Sequence, residues 1–453
     1  MADFTIHARP AGKRIKDFSE VAVGLNKKQA VDHAKIYLER ESSLQGQGCP
    51  LGTEAFSFLK LLAKGNVDGA LEVIHQHNPM PGITGRFADE PFAETDVRNR
   101  DNERISLRAL ERFAADNGRA KVLSRGKKAG ERIAIFGSGP SGLTAAAFLV
   151  QKNFDVHVYE SYHQAGGSLR YGISEFRLPQ KVLDNQIRYI ESLGVTFHYD
   201  HTLGQTITFA GLLKNGFKAV FLAVGAGQPK MLNIPGQNAQ GIFSGDDVLL
   251  NINLMRAETN PRSHTALNIG QKVVVIGGGN TAVDCARTLV RLGRSVTLVV
   301  RGTADDLQVK PFIRQHLQEE RVKIEPFINT IKYIVDDFGV VKGIRCRRLD
   351  YADVNEKDQW QLVEVKDSDF DMEADTVIVA VGHLPNTVMV KNDPDLKLKR
   401  DGAIWTKRNS CMTSVDGVFA GGNVVDGPGP LLWAMLSGKQ AAEEINDFII
   451  LRK

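Results

Sequence analysis

Two glycine-rich turns, each set between an apolar strand and a helix, constrain this chain more than any other feature. The first runs IAIFGSGPSGLTAAAFL and leads to VHVYE; the second runs VVVIGGGNTAVDCARTLV and leads to VTLVVRG. Each spacing predicts strand, tight turn and helix, so each helix N-terminus can hold a pyrophosphate. In the first unit Gly137, Gly139 and Gly142 fit G-x-G-x-x-G. The first glycine permits the turn, the second lets phosphate approach the backbone, and the third lets helix and strand pack closely. Glu160 ends the next strand, 18 residues after Gly142. A carboxylate there can accept both hydroxyl hydrogens of an adenosine ribose.

The second unit has Gly277 and Gly279, with Ala282 in the third position. Alanine suffices where only helix–strand packing matters. Asn280 and Thr281 open the helix and can donate to a pyrophosphate. Arg301, followed by Gly302, stands at the ribose-reading position. An acid there would favour the free 2′-hydroxyl of NAD, whereas an arginine can hold the 2′-phosphate of NADP. Stacking on adenine, or simple exposure to solvent, is the other use of Arg301.

A third glycine-rich segment, GGNVVDGPGPLLWAMLSGKQAA, has no fingerprint of its own to serve. Gly421 and Gly422 permit close approach of backbone to ligand, and Asn423 offers a side chain to a ribityl hydroxyl. The helix starting near Leu431 presents free N–H groups and its positive dipole end to whatever precedes it. A flavin N1–C2=O edge placed there would be stabilised as the anionic reduced form. The economical arrangement folds this segment back onto the first unit, with the second unit inserted between. Two dinucleotide sites and a flavin-type tail point to a flavoprotein that exchanges hydride with a nicotinamide nucleotide.

Ahead of these units, residues 1–128 read as helical. DHAKIYLERE, TEAFSFLKLLAKGN, DGALEVIHQHN and RISLRALERFAADNG have apolar residues at helical spacing, and NPMPGITGR reads as a turn-rich break. The expected division is a helical domain over 1–128, an FAD-binding domain over 129–243 and 383–453, and an NAD(P)-binding domain over 244–382. The fold class is α/β, with two Rossmann-type domains, the second inserted into the first, preceded by the helical one.

A net charge of +4 over 453 residues is too mild to argue for nucleic acid. The most basic run noted, Arg119 to Arg132, has six Lys/Arg and one Glu and reads as a solvated linker. The N-terminus has no apolar core suited to a signal peptide, and no run of about 18 apolar residues occurs. No membrane insertion is expected, and a cytoplasmic location follows by default. The four cysteines, Cys49, Cys285, Cys346 and Cys411, form no C-x-x-C pair and no metal-site spacing. Cys285 and Cys346 read as buried apolar residues.

The stretches GGSLRYGISEFRLPQKVLDNQI, GGGNTAVDCARTLVRLG and GVFAGGN, with NPMPGITGR and ISLRALERF upstream, resemble the glutamate synthase small-subunit family. That family includes the flavin half of dihydropyrimidine dehydrogenase. The resemblance covers nearly the whole chain. It implies FAD at the first site and NADPH or NADH at the second. It extends the FAD site to Pro140, Ser141, Gly167, Leu169, Arg177 and Leu432, and the NAD(P) site to Gly382.

The departures from the family are informative. Its helical domain normally holds two iron–sulfur clusters through C-x-x-C-x-x-x-x-C-x-x-x-C-P and a second run after G-R-V-C-P. Anchored on Cys49-Pro50, those positions fall on Tyr37, Arg40, Gln45 and Cys49, then on Ala88, Phe92 and Asp96. Six of the seven thiolate positions are not cysteine, and tyrosine, alanine and phenylalanine cannot replace thiolates in a cluster. No metal site is therefore expected in this chain. Asn423 stands where the family usually has aspartate. The usual pair of arginines is Arg301-Gly302 here, so one phosphate clamp is missing and NAD is expected over NADP.

The resemblance implies an FAD subunit that exchanges hydride with NAD(P)H and passes electrons to or from an iron–sulfur subunit of a larger complex. A tungsten-type aldehyde oxidoreductase complex that reduces NAD is one compatible setting. Hydride transfer between stacked rings requires no general acid or base, so no catalytic residue is named. Retention of the helical domain without its clusters suggests a docking role; covering an apolar face of the flavin domain is the other use. A stand-alone NAD(P)H:acceptor reductase and a non-catalytic FAD-binding assembly subunit are the competing readings.

Overall fold

The computed structural model describes residues 8–39, 50–87, 97–98, 104–120, 130–256, 267–353, 360–387, 390 and 394–452. The N-terminal region holds helices α1 (Ala11–Arg14), α2 (Lys27–Glu39), α3 (Ala55–Ala63), α4 (Val67–His75), α5 (Pro81–Phe87) and α6 (Leu107–Asn117). A two-residue ladder, β1 (Val97–Arg98) and β2 (Arg104–Ile105), precedes α6. NPMPGITGR, expected as a break, contains α5. Pro81 is its first residue, where a missing N–H costs nothing, and the Asn78 side chain accepts from the Met80 N–H at 3.0 Å.

The first α/β domain begins with β3 (Arg132–Phe136), α7 (Pro140–Gln151), β4 (Asp155–Tyr159), α8 (Ser168–Tyr171), α9 (Gln180–Ser192), β5 (Thr196–His198), α10 (Phe209–Lys214) and β6 (Ala219–Leu222). The chain leaves through β7 (Gln228–Pro229) and returns through β17 (His383–Leu384), the two crossing strands pairing antiparallel. Between them lie β8 (Ile242–Ser244), α11 (Gly245–Leu254), β9 (Lys272–Ile276), α12 (Asn280–Arg291), β10 (Ser295–Val299), α13 (Pro311–Glu319), β11 (Lys323–Glu325) and β16 (Thr376–Val379). An antiparallel layer of β12 (Ile328–Val335), β13 (Val341–Asp353), β14 (Trp360–Glu364) and β15 (Phe370–Glu373) sits between β11 and β16. The chain ends with β18 (Val418–Ala420), α14 (Asn423–Asp426) and α15 (Leu431–Ile450).

The first sheet has the order β18-β6-β3-β4-β5 and the second β11-β10-β9-β16-β8, every pair parallel. Strand β18 therefore joins the first sheet only after the whole second domain has been built. β8 belongs to the second sheet, so that domain starts before residue 244, the boundary expected from sequence. Parallel strands covered on both faces read as continuous apolar runs, and β6 and β16 are buried at every position. Among the described residues, no helix is long and apolar enough to cross a membrane.

The helical region is not a separate body. One apolar cluster runs from Ala30, Phe58, Ile74 and Ile83 through Leu143 and Ile187 to Met435 and Ile445, joining it to α7, α9 and α15. Within it Glu111 is buried and accepts hydrogen bonds from Asn78 Nδ2 at 3.3 Å and Thr84 Oγ1 at 3.1 Å. Burial pushes its carboxyl up to about 7 against those bonds. A carboxyl whose folded pKa exceeds its unfolded value near 4.3 stabilises the fold below that value and loses the contribution as pH rises through about 7. Glu111→Gln should therefore flatten the decline in thermal stability between about pH 5 and 8. Melting curves over that range test it, and an unchanged slope would count against the assignment.

Candidate functional site

Both glycine turns stand at the carboxyl ends of their sheets, where open parallel sheets bind ligands. They open onto one continuous cavity of about 2110 Å³. In the first turn, a Cβ on Gly142 would lie 2.0 Å from the Gly137 carbonyl oxygen, so only glycine lets α7 pack there. A Cβ on Gly139 would meet nothing within 4 Å, and the same holds for Gly279 in the second turn. Each second glycine thus faces free space at a helix N-terminus, the shape a pyrophosphate needs. The Ser141 hydroxyl, on the first turn of α7, is buried with no partner among the described residues. These features fit a dinucleotide at the first turn.

Glu160 lines the cavity but is already engaged. Oε2 accepts from the Ser138 N–H at 2.9 Å and from the Ser138 hydroxyl, and Oε1 accepts from the Tyr162 N–H at 3.0 Å. Ser138, the variable residue between the first two glycines, thereby sets the carboxylate's position. The Ser138 hydroxyl also accepts from the Gly166 N–H at 3.0 Å, drawing the 166–167 loop over the turn.

The C-terminal segment reaches the same place because α15 lies directly on α7. A Cβ on Gly438 would come within 2.2 Å of the Ser141 carbonyl oxygen. This contact carries Asn423 and the Pro428–Leu431 loop to the cavity, with the start of α15 facing it.

Of the residues expected at the FAD site, Gly137, Gly139, Pro140, Ser141, Glu160, Gly167, Leu169, Arg177, Asn423 and Leu431 line the cavity. Three do not. Gly142 packs helix on turn. Gly422 gives its N–H to the Ser437 hydroxyl at 2.8 Å. Leu432 is buried in the apolar cluster, because one residue further along a helix turns about 100° and faces α7. Arg177 lines the cavity, but its guanidinium donates to the buried Asp284 of α12 at 2.8 Å. It acts as a tie between the two α/β domains as well as a wall of the site. Gly277, Gly279, Asn280, Thr281, Arg301 and Gly382 all line the nucleotide half.

Several lining residues escaped the sequence reading. His383 Nε2 lies 2.8 Å from Asp246 Oδ2, and this bond raises the histidine's pKa. The Asp306 carboxylate accepts from the Thr303 N–H at 2.7 Å, which lowers its pKa, and it borders the Arg301–Thr303 loop. Val21–Leu25, Arg108 and Arg112 bring the helical region to the cavity wall. None of these lies in a glycine motif. Only the pairing of distant segments places them.

The domains are also locked to each other. Glu320 accepts from Arg14 Nε at 2.7 Å, Arg287 Nη2 at 2.8 Å and Arg291 Nη1 at 2.6 Å, with its own side chain fully buried. Burial alone would raise its pKa, but the bonds from Arg287 and Arg291 hold it far below the carboxylate range. Phe176 of the first α/β domain lies against both guanidiniums, 3.9 Å from Arg291 and 4.8 Å from Arg287.

Cys285, Cys346 and Cys411 are free and buried, and burial pushes the last two up to about 12. Tyr37, at the first former thiolate position, is buried in the apolar cluster. Positions 40, 45, 49, 88, 92 and 96 lie outside the described residues. Among the described residues, no group of three His, Cys, Asp or Glu side chains is disposed to hold a metal.

Comparison with known proteins agrees with this architecture. Residues 131–438 match the pyridine nucleotide-disulphide oxidoreductase family, and residues 14–123 match dihydropyrimidine dehydrogenase domain II, 4Fe-4S cluster. The glutamate synthase [NADPH] small chain of Azospirillum brasilense is 30% identical over 97% of this chain and 93% of its own length. The NADP(+)-dependent formate dehydrogenase subunit beta of Moorella thermoacetica is 28% identical over 88% of this chain and 59% of its own. Among solved structures, FprA of Mycobacterium tuberculosis in complex with NADPH superposes with a TM-score of 0.56 at 18% identity, over 71% of this chain and 85% of its own. Thioredoxin reductase of Lactococcus lactis superposes with a TM-score of 0.52 at 22% identity, over 71% of this chain and 99% of its own. The expected preference for NAD finds no support among these relatives, whose names carry NADPH or NADP(+). The chain is an FAD-dependent NAD(P) oxidoreductase of the pyridine nucleotide-disulphide oxidoreductase family, in the branch of the glutamate synthase small chain.

Proposed function

We infer that this chain is the FAD-containing subunit of a larger redox complex. It exchanges a hydride with NADP(H) and passes electrons to or from an iron–sulfur subunit. The observation that carries this reading is the single cavity onto which both glycine turns and the start of α15 open. Relatives named as subunits of glutamate synthase and formate dehydrogenase support the partner.

FAD held by the first glycine turn and the start of α15 would supply the redox chemistry, coupling two-electron hydride exchange with NADPH to one-electron exchange with the partner. The chain's own residues position and exclude. The N–H groups opening α7 hold one pyrophosphate, and those opening α12 the other. Glu160 would accept from the adenosine ribose at Oε1 in place of the Ser161 hydroxyl, which donates to that oxygen at 3.1 Å. Leu169 and Leu431 wall the redox centre from water. The positive end of α15 favours charge developing at the flavin edge.

Arg301 is exposed on the loop after β10 and lines the cavity, which supports its reading as the residue that meets a 2′-phosphate. An exposed ion pair contributes roughly 0–1 kcal/mol. Arg301→Ala should therefore weaken NADP+ binding at most about fivefold and leave NAD+ binding unchanged. Equilibrium titration with each nucleotide measures this, and equal losses for both would remove the assignment.

Anaerobic titration of the isolated chain tests the function. Rapid flavin reduction by NADPH, with slow turnover on quinones, is the expected result. Rapid quinone turnover would favour a stand-alone reductase, and no reduction would favour an assembly subunit. The isolated chain is also expected to hold no iron–sulfur cluster, because six of the seven family thiolate positions lack cysteine. Stoichiometric iron and acid-labile sulfide after anaerobic purification would overturn that.

A further inference from the structure

Beside the flavin loop lies a basic hairpin that neither cofactor uses. Its sequence, KLKRDGAIWTKR over 397–408, has five cations and one acid. That net charge equals the +4 of the whole 453-residue chain. The backbone forms the hairpin through Lys399 N–H to Ala403 O at 2.7 Å and Trp405 N–H to Lys397 O at 3.0 Å. Strand alternation sorts the side chains. Leu396 and Ile404 enter the core of the first α/β domain with Leu398 packed against it, while Lys397, Lys399, Trp405 and Lys407 are exposed.

The fold accounts for the inward residues. Apart from Lys399, bonded to a backbone carbonyl, and Lys407, whose Nζ donates to Met412 Sδ at 3.3 Å, it does not require cations outside. Lys397, Lys399, Arg400, Lys407 and Arg408 make no ion pair among the described residues. Trp405, opposite Lys397, is 38% exposed. Exposed aromatics beside unpaired basic groups are what polar interfaces use to anchor and steer a partner.

The hairpin is also stitched to the flavin loop. The Ile404 N–H donates to the Val424 carbonyl at 3.0 Å, and Lys399 Nζ donates to the Val425 carbonyl at 2.7 Å. Both carbonyls directly follow Asn423, which lines the cavity.

We propose that this hairpin docks a small acidic iron–sulfur protein, so that the cluster the chain lacks is supplied against the flavin loop. The inference rests on the reading of the chain as an electron-transfer subunit. The cations draw in the acidic partner, and Trp405 gives the contact an apolar centre.

The test uses the full-length holoprotein and a small acidic ferredoxin, both oxidised, with association followed by biolayer interferometry. At low ionic strength the wild type should bind, and the association rate should fall steeply as salt is raised, because such charges are screened within about 10 Å at 0.1 M. Lys397→Glu/Lys407→Glu/Arg408→Glu should lower the association rate about ten- to a hundredfold. Its flavin content and its rate of anaerobic flavin reduction by NADPH should stay at wild-type level. The neutral Lys397→Gln/Lys407→Gln/Arg408→Gln variant should fall between the two. Absent or salt-insensitive binding by the wild type would overturn the proposal. So would charge reversal without effect, or binding to anionic vesicles instead of ferredoxin. Association judges the hairpin and anaerobic flavin reduction by NADPH judges the hydride reaction, so the two readings can fail separately.

Discussion

Gly139→Val should yield a folded protein almost devoid of flavin. A Cβ at Gly139 meets no protein atom within 4 Å, so a side chain can start there without displacing the turn. Its methyl groups would project into the space at the N-terminus of α7 where a phosphate must approach the N–H groups. Loss of those charge-assisted hydrogen bonds removes the main anchor of the dinucleotide. The 450-nm absorbance per mole of protein measures the loss, and far-UV circular dichroism shows that the fold persists. A fully yellow variant would place the cofactor elsewhere. Gly142→Val would be uninformative by comparison, because its Cβ would lie 2.0 Å from the Gly137 carbonyl and disrupt the turn itself.

Glu320→Gln should be the most destabilising single change. It leaves Arg14, Arg287 and Arg291 gathered around a neutral amide with side chains only 0–3% exposed. Breaking a buried ion network by removing one partner costs about 3–5 kcal/mol. The three guanidiniums come from the N-terminal segment and α12, and Phe176 of the first α/β domain packs on two of them, so the loss also loosens the domains. The folded pKa of Glu320 is depressed. Its contribution is therefore present above the unfolded value of about 4.3 and is lost as pH falls below that. Denaturant midpoints at neutral pH should drop sharply in the variant, and its stability should fall less than the wild type's on acidification. An unchanged midpoint would show the network to be energetically neutral.

The glycine turns were legible because a phosphate-binding turn needs a short run of defined residues at a defined spacing. Gly137, Gly139 and Gly142, and their counterparts Gly277, Gly279 and Ala282, carry that requirement locally. The α5 helix was misread as a break, since proline and glycine mark turns on average and only packing against α6 and α9 stabilises so short a helix. Leu432, one helical step past the cavity-lining Leu431, has its side chain buried in the apolar cluster, which no local pattern shows. The basic hairpin is not legible locally because Lys397, Lys399 and Lys407 look dispersed along the chain until pairing of 397–399 with 403–405 gathers them in one exposed hairpin.

What the sequence determined by itself was local chemistry: two glycine-rich dinucleotide-type turns and a glycine-rich C-terminal segment, while the resemblance to the family implied six cluster positions without cysteine. What only the tertiary structure decided was which distant segments meet. It put both turns on one cavity, committed Arg177 to Asp284, gathered three arginines on Glu320, and merged the helical region with α7, α9 and α15 into one core. The reason is physical. A turn's ligand preference is set by residues a few bonds apart, whereas burial and ion pairing depend on contacts across hundreds of residues, such as Arg14 with Glu320, which no local pattern encodes.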